Sequence, residues 1–376
     1  MSSDRGRRIY EEIGVRPFIN AAGNQTVLGG SRLSPTVREA MEDANRYYVD
    51  MEEMLKRSGE VVANILGAEA ALITPGCASA LALGSAACMA GSDPEKMERL
   101  PDSTGMKNEF LIQNRQRYKY DRCMTIFGGK LVEVGDENGT TAAQLEAAIG
   151  DKTAGLLYLA PGGGEGVVPL EEALRINKGR GVPVIVDAAS QVYPLDRMCG
   201  YMRMGADLVG FGAKYFGACN STGIVCGRKD LVDAVFNHGF IGFETGQWRT
   251  VGRPLKVDRQ EVVAVVVALR EWFEMDHDAR FAEHERKART IQEALKGIPH
   301  ITVTPVTEAR GLGNGLRVAL DEGALGKTAD QVLEALRSGS PGIWMWDDGN
   351  ALSVAVPNLT DEDVQVVARR LREALG

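Results

Sequence analysis

The chain has 376 residues, of which 44% are hydrophobic and 25% are charged, a composition typical of folded globular proteins. Its formal net charge of -8 at pH 7 argues against a general surface for nucleic acids or anionic membranes, because clustered Lys and Arg are what hold phosphate groups. The length favours one large domain with a smaller one, and a small-molecule substrate is the expected partner.

Targeting, disulfide and metal signals are weak in this sequence. Residues 1–10 are polar and Arg-rich with no apolar segment after them, and no apolar run approaches the roughly 20 residues that a membrane helix needs. We therefore expect a cytoplasmic protein without a membrane partner. The six cysteines form no C-x-x-C pair and the four histidines no H-E-x-x-H motif, so no disulfide framework or metal site is expected.

The predicted elements begin with a helix over residues 60–67, followed by a short apolar strand. A Thr-Pro-Gly turn leads into an Ala-rich helix that opens at Cys77 and ends near Gly91. Residues 92–107 are polar and are predicted to form a loop. The next elements are a strand in NEFLIQ, a helix and a strand in YDRCMTIFGGKLVEVG, a helix in TAAQLEAAIG, a strand in TAGLLYLAP, a helix in LEEALRINKGRG, and strands in VPVIVDAAS and ADLVGFGA.

The fold class predicted from this order is α/β. Apolar strands with helices between most of them indicate a mainly parallel sheet covered by helices on both faces, with ligands at the carboxyl ends of the strands. The stretch 258–297 has a helical pattern without proline and predicts a long linking helix. After it, a small α+β domain is predicted, with strands in ITVTPV and NGLRVAL, a helix in TADQVLEALRSG, strands in GIWMW and ALSVAV, and a last helix in TDEDVQVVARRLREAL. We expect an N-terminal segment at 1–57, a large ligand-binding domain at 58–257, and the linking helix with the C-terminal domain at 258–376.

Three complementary features fall at the ends of predicted strands. The TPGCAS segment places backbone N–H groups and the Ser79 hydroxyl at a helix N-terminus, which suits a phosphate. Asp187 ends an apolar strand, where an unpaired carboxylate is costly to bury. Lys214 follows the next strand in an uncharged, glycine-rich stretch, so it either reaches water from a loop or is buried for chemistry.

A phosphate site, a buried carboxylate and a single lysine are what pyridoxal 5'-phosphate requires. The lysine bonds to the cofactor, the carboxylate keeps the ring nitrogen protonated, and the helix end holds the phosphate. Burial would also lower the pKa of the lysine and favour its neutral amine. Each feature has a plainer structural explanation: Asp187 and Ser79 can cap helices, and Lys214 can lie on the surface. Their order and spacing favour the cofactor site.

Competing nucleotide motifs do not fit. The stretch PGGGEGVV has Val167 where a dinucleotide fingerprint needs a third glycine. The stretch GAK has Ala213 where a Walker sequence needs a glycine. The turn at 161–166 is expected to let the backbone approach a ligand, or else to be a surface turn.

Nearly the whole chain resembles a known family. The resemblance is carried by INAAGNQTVLGGSRLSP, ALITPGCASALALGSAACMAG, LPDSTGMKNEFLIQ, LVEVGDENGTTAAQLEAAI, PGGGEGVVPLEEA, VPVIVDAASQ and STGIVCGRKDL. These segments resemble the fold-type-I pyridoxal-phosphate enzymes grouped with D-glucosaminate-6-phosphate ammonia-lyase, distantly related to bacterial selenocysteine synthase. The resemblance implies Lys214 as the Schiff-base lysine and Asp187 as the pyridinium partner, in a homodimer or larger oligomer with active sites at the subunit interface. It also implies a phosphate loop of Gly76, Cys77, Ala78 and Ser79.

Two departures from the family pattern affect the expected cofactor contacts. The chain reads NRQRYKYD with Gln116 where relatives tend to have histidine, so Gln116, Arg117 or Tyr118 is expected over the cofactor ring. Alternatively, the two tyrosines of this stretch pack against the following helix. No hydroxyl residue precedes Lys214, so one phosphate contact is expected from the segment 220–222 instead.

Several further residues are candidates for substrate contacts. The stretch HGFIGFETGQWRTVGRPLKVD is rich in aromatic and charged residues and is expected to reach substrate, in the same or a neighbouring subunit, or to clasp the subunit interface. Its candidate contacts are Glu244, Trp248 and Arg249. Asn24 and Arg32, in the N-terminal glycine-rich segment, are candidates for binding an anion.

The predicted function is that of a lyase. We expect α-proton abstraction and β-elimination on a small polar amino acid or amino sugar acid, with or without a phosphate group, and release of ammonia. The alternatives are a racemase, an aldolase or a transferase acting on a similar substrate. A selenium transferase acting on seryl-tRNA is less favoured, because the acidic balance and the lack of a basic extension offer little for RNA.

Overall fold

The computed structural model describes residues 2–246, 248–306 and 315–376, with side chains from residue 6 onward. The helices are α1 (Ser2–Glu12), α2 (Pro35–Asn45), α3 (Met51–Leu66), α4 (Gly76–Ala90), α5 (Pro94–Arg99), α6 (Ala142–Ala148), α7 (Leu170–Gly179), α8 (Leu195–Arg203), α9 (Lys229–His238), α10 (Phe240–Thr245), α11 (Arg259–Glu274), α12 (His277–Ala294), α13 (Glu322–Leu325), α14 (Ala329–Ser338) and α15 (Asp361–Leu375). The strands are β1 (Phe18–Asn20), β2 (Ala70–Thr74), β3 (Glu109–Gln113), β4 (Lys130–Val134), β5 (Thr153–Leu159), β6 (Val184–Asp187), β7 (Leu208–Gly212), β8 (Gly223–Gly227), β9 (Ile301–Val306), β10 (Gly315–Leu320), β11 (Gly342–Trp344), β12 (Trp346–Asp347) and β13 (Ala351–Ala355).

The chain forms two compact units. One is continuous, Leu33–Glu274, and the other combines Met1–Arg32 with Met275–Gly376. The expected domain boundaries after residues 57 and 257 stay predictions. Across the part of the chain that the structure describes, no helix is both long enough and apolar enough to cross a membrane.

The larger unit is built on a seven-stranded sheet with the order β2-β8-β7-β6-β5-β3-β4. Its neighbouring strands are parallel except that β8 is antiparallel to both β7 and β2. Because β8 is reversed relative to both neighbours, β2 and β7 run in the same direction. The carboxyl ends of β2, β5, β6 and β7 therefore lie at one edge of the sheet, and the prediction of a mainly parallel sheet is confirmed.

The apolar character of the central strands matches their burial. Every residue of β6, β7 and β8 is buried, as expected for strands covered on both faces. Helix α4 covers one face, and its small residues permit close packing: a Cβ built on Gly84 would lie 3.3 Å from the Leu208 side chain. The predicted Ala-rich helix is confirmed.

Two predictions for the segments that connect the strands are wrong. The expected loop over 92–107 contains helix α5, in which Pro94 occupies the first turn and the Asp93 carboxylate caps the backbone N–H groups of Glu95 and Lys96. The expected helix after Tyr120 is only a 3-10 turn over Asp121–Thr125. Both errors arise because short elements depend on caps and turns more than on apolar periodicity.

The prediction of one long helix over 258–297 is also wrong. This stretch contains two helices, because α11 ends at Glu274 and α12 begins at His277. The Asp276 side chain accepts a hydrogen bond from the backbone N–H of Ala279 at 2.9 Å and so starts a new helix. A helical period continues through such a break, so the pattern alone does not reveal it.

The smaller unit has its own sheets and core. Strands β12-β13-β10-β9 form an antiparallel sheet, and β1 pairs in parallel with β11. Leu316, Val318 and Leu352 pack in one apolar cluster with residues of α12, α14 and α15. The predicted strands at β9, β10 and β13 and the predicted helices at α14 and α15 are confirmed. The stretch GIWMW, predicted as one strand, contains β11 and the start of β12, which belong to different sheets.

Candidate active site

The turn between β2 and α4 forms the candidate phosphate loop. Gly76 has φ +83°, a left-handed conformation that glycine adopts without strain, and it brings Cys77, Ala78 and Ser79 into the first turn of α4. The first N–H groups of a helix have no partner within the helix and can bind an anion. The Ser79 hydroxyl donates to the Pro75 carbonyl at 2.7 Å, which leaves its lone pairs available to accept.

The start of β8 supports this turn at close range. A Cβ on Gly223 would lie 2.4 Å from the carbonyl carbon of Gly76 and 2.6 Å from the backbone nitrogen of Cys77, so any larger residue would displace the loop. The carbonyl oxygen of Ser221 also lies near Gly76. Within the segment 220–222, the Ser221 hydroxyl donates to Glu261 and the Thr222 hydroxyl donates to the Cys219 carbonyl at 2.8 Å.

Asp187 is the buried carboxylate at the end of β6, with only 4% of its surface exposed. Its Oδ1 accepts from the backbone N–H of Ala189 at 3.0 Å and from the Cys77 thiol, whose sulfur lies 3.6 Å away. Its Oδ2 accepts a short hydrogen bond from the Tyr118 hydroxyl. Burial raises the pKa of Asp187, and the bonds from Tyr118, Ala189 and Cys77 partly oppose that rise.

Lys214 lies in a 3-10 turn, Ala213–Phe216, that directly follows β7. Its side chain is buried, with 9% exposed, and its Nζ lies 5.1 Å from the centre of the Tyr215 ring. Burial lowers the pKa of the ammonium group. Of the two possibilities raised by the sequence, the structure therefore has the buried lysine.

Lys214 and Asp187 come from neighbouring parallel strands. Asp187 pairs with Gly210 in β7, two residues before that strand ends at Gly212. Both side chains therefore belong to the same carboxyl edge of the sheet as the turn at Gly76. The structure brings together the lysine, the carboxylate and the helix N-terminus that the sequence predicts.

The three candidates for covering the cofactor ring have different contacts. Gln116 is buried and its amide group pairs with the backbone of Leu159 through bonds of 3.0 and 3.3 Å. Arg117 forms ion pairs of 2.6 Å with Asp121 and Glu133. Tyr118 contacts Asp187. Sequence reasoning missed this pairing, because the two residues lie 69 positions apart and no motif connects them.

The described part of the aromatic stretch 238–258, which includes helix α10, contacts a different part of the larger unit. Glu244 pairs with Arg253, and the backbone N–H of Arg249 donates to Glu98 at 3.1 Å. Trp248 lines a cavity of about 550 Å³ together with residues from α3, α9 and the first part of β2. Among the contacts described for these residues, none involves Asp187.

Asn24 and Arg32 belong to the smaller unit. The side-chain oxygen of Asn24 accepts from the Asn358 amide at 2.8 Å, and Arg32 lies 3.7 Å from Asp363. Both have partners within that unit, and their anion-binding role stays a prediction. No group of three or more His, Cys, Asp or Glu side chains suited to a metal occurs among the residues with described positions.

The mainly parallel sheet with this carboxyl-edge site defines a pyridoxal 5'-phosphate enzyme of fold type I. The predicted fold class, enzyme class and cofactor are confirmed at this level. A family model described as L-seryl-tRNA selenium transferase (SelA) matches residues 18–283, and the chain belongs to this family.

Two curated relatives and one solved structure are similar over nearly the whole chain. A 5'-C-glycyluridine monooxygenase-decarboxylase of Streptomyces sp is 32% identical, covering 97% of this chain and 92% of the relative. A D-glucosaminate-6-phosphate ammonia lyase of Salmonella typhimurium is 28% identical, covering 97% of both. The solved structure of a D-glucosaminate-6-phosphate ammonia-lyase matches with a TM-score of 0.84 and 27% identity, covering 98% of both chains. The predicted family resemblance is confirmed.

Proposed function

We propose that this chain is a lyase that removes the α-proton of a small polar amino acid or amino sugar acid, eliminates the β-hydroxyl as water, and releases ammonia. The observation that carries the proposal is that the buried Lys214 and the buried Asp187 follow neighbouring parallel strands at one edge of the sheet. Burial lowers the pKa of this lysine and so favours the neutral amine that can accept a proton. The similarity to ammonia lyases over nearly the whole chain also supports it.

The residues at this edge fit pyridoxal 5'-phosphate. Asp187 would hold the ring nitrogen, the first turn of α4 from Gly76 to Ser79 would hold the phosphate, and Lys214 would hold the aldehyde carbon. The buried carboxylate supports this fit, because its described donors are neutral and burial disfavours its charge, so a cationic ring nitrogen is a suitable partner. When bound, the cofactor supplies an electron sink for the substrate α-carbon.

Lys214 is the proposed base. Because burial favours the neutral amine, its Nζ can accept the α-proton and hold it close to the site. The electron pair of the broken C–H bond then forms a double bond to the β-carbon as the C–O bond breaks. The leaving hydroxide takes up the proton held on the Lys214 Nζ and departs as water, which returns the neutral amine. Hydrolysis of the resulting unsaturated amine yields a 2-keto acid and ammonia.

Substrate contacts and assembly are further parts of the proposal. The aromatic stretch 238–258 has its described contacts away from Asp187, so we assign it to the active site of a second copy in a cytoplasmic homodimer or larger oligomer. The proposed partner is a small molecule rather than a nucleic acid, because the net charge is -8. The proposed substrate contacts are Asn24, Arg32, Arg117, Tyr118, Glu244, Trp248 and Arg249.

The relative at 32% identity favours a second candidate function, an oxygen-dependent decarboxylation of an amino acid joined to a nucleoside. The two functions differ in their products and in their need for oxygen. Incubation with D-glucosaminate-6-phosphate under nitrogen should release ammonia and a keto acid if the lyase proposal holds. Oxygen uptake with carbon dioxide release from a glycyl nucleoside, and no ammonia from the sugar acid, would favour the second candidate.

Borohydride trapping tests the site itself. Reduction of the protein loaded with pyridoxal 5'-phosphate should attach the cofactor to the peptide containing Lys214, detected by its mass. Lys214→Ala should bind the cofactor without this attachment. A wild-type protein that binds no cofactor, or attaches it at another lysine, would overturn the proposal.

A further inference from the structure

Tyr118 is fixed at both its backbone and its hydroxyl by carboxylates. Its backbone N–H donates to Oδ2 of Asp121 at 3.2 Å, and its hydroxyl donates to Oδ2 of Asp187. Asp121 is in turn held by the Nε of Arg117 at 2.6 Å. The ring of Tyr118 is therefore held in a defined position rather than filling space alone.

The groups around Asp187 show how the hydrogen bond from Tyr118 affects the charge of this carboxylate. The titratable groups that act on it come from three sides: Cys77 on α4, Tyr118 and Cys123 after β3, and Tyr215 after β7. Burial raises the pKa of all four, so at neutral pH each is uncharged. Hydrogen bonds from neutral donors thus support the ionised form of Asp187, and Tyr118 is the donor described for its Oδ2.

We propose that Tyr118 is a positioning residue, whose hydroxyl keeps Asp187 ionised and oriented to receive the protonated ring nitrogen of the cofactor. The inference rests on the proposed function, since it assumes that the cofactor uses this site. Asp187 offers two oxygens, and the bonds at Oδ1 from Ala189 and Cys77 leave Oδ2 to be oriented by Tyr118. A carboxylate held on both oxygens loses little freedom when the cofactor binds.

The effect of Tyr118 on cofactor binding should depend on pH in one direction. Removing a donor to a carboxylate disfavours its ionised form, so Tyr118→Phe should raise the pKa of Asp187 further. Protonated Asp187 cannot serve as counter-ion to the ring nitrogen. Affinity for the cofactor should therefore fall as the pH is lowered, and this fall should begin at a higher pH in the variant than in the wild type.

Fluorescence titration with pyridoxal 5'-phosphate between about pH 5 and 9 measures this effect. At the acid end, Tyr118→Phe should bind about tenfold more weakly than the wild type, as expected for loss of a hydrogen bond to a charged group. The matched control is Tyr120→Phe, because this neighbouring tyrosine is exposed and its ring lies 6.1 Å from that of Tyr118. Unchanged or tighter binding by Tyr118→Phe, or an equal effect of Tyr120→Phe, would overturn the inference.

A second variant and a trapping control complete the test. Asp121→Asn weakens the acceptor for the Tyr118 backbone N–H. In this variant the loss of cofactor affinity at low pH should also begin at a higher pH than in the wild type, but by less than in Tyr118→Phe. No such shift would count against a positioning role. Borohydride attachment to Lys214 in the wild type separates the two proposals. If the cofactor is not attached to Lys214, the proposed function and this inference both fail. If it is attached and Tyr118→Phe binds the cofactor as tightly as the wild type does, only this inference fails.

Discussion

The sulfur of Cys77 lies 3.6 Å from Oδ1 of Asp187, although the two residues belong to helix α4 and strand β6. This contact joins the candidate phosphate loop directly to the candidate ring-nitrogen partner. A displacement of the loop is therefore expected to disturb the carboxylate as well. Both ends of the proposed cofactor site can be examined by single substitutions.

Asp187→Asn should weaken cofactor binding by about 30-fold or more, because the amide keeps the size of the side chain but cannot pair with a cationic ring nitrogen. The cofactor-free variant should be no less stable to heat than the wild type, since a buried charge is removed. Asp196→Asn is the control, because that side chain is 95% exposed. Equal cofactor affinity in wild type and Asp187→Asn would contradict the assigned role.

Gly223→Ala should destabilise the protein by about 1 to 3 kcal/mol and weaken cofactor binding, because its Cβ would meet the backbone at Gly76 and Cys77. Thermal unfolding and cofactor titration measure the two effects. Gly200→Ala is the control, since the nearest atom to its Cβ is 3.8 Å away and alanine suits a helix. If Gly223→Ala behaves like Gly200→Ala, the close approach of β8 to the loop is not a constraint.

Arg249→Ala should raise the KM for substrate while cofactor content stays unchanged, if its loop serves the active site of a second copy. Arg180→Ala, at an exposed position after α7, is the control. Unchanged kinetics would remove Arg249 from the substrate site.

Mixing two variants tests whether this site is shared between copies. Subunits with Lys214→Ala and subunits with Arg249→Ala should together form hybrid dimers with one intact site. At low substrate concentration, activity should recover to about a quarter of the wild-type value for random exchange. No recovery after demonstrated subunit exchange would place Lys214 and Arg249 in the same copy's site.

His238 should make stability depend on pH. It is fully buried, its Nε2 lies 3.0 Å from the Gly91 carbonyl, and burial lowers its pKa to about 4. Between pH 6.5 and about 4, the unfolded chain binds a proton that the folded chain excludes, so the free energy of unfolding falls as the pH is lowered. The loss should reach about 3 kcal/mol from this residue.

Urea unfolding at pH 7 and pH 4.5 measures this dependence. His238→Asn should flatten the change in unfolding free energy between the two pH values, although His284, whose pKa is also lowered to about 4, keeps a part of it. The exposed His300, replaced by Asn, is the control. An unaltered pH dependence in His238→Asn would show that another group causes the acid destabilisation.

Much of the fold and the candidate site could be predicted from the sequence. Apolar strand runs and the Thr-Pro-Gly turn identified β2, β6, β7 and the start of α4, because burial and turn chemistry leave local patterns. The positions of Asp187 and Lys214 at strand ends followed from the same patterns. The break at Asp276 and the short helix α5 were missed, because each depends on one capping side chain.

The sequence by itself determined which strands carry the lysine, the carboxylate and the phosphate turn, since these residues adjoin strongly apolar segments. Only the tertiary structure decided that Tyr118 and Cys77 contact Asp187, that Gln116 pairs with the backbone of Leu159, and that β8 is antiparallel. The physical reason is that strand order and side-chain contacts depend on how distant segments pack. Periodicity along the chain reports which residues are buried, but it does not report which buried residues meet.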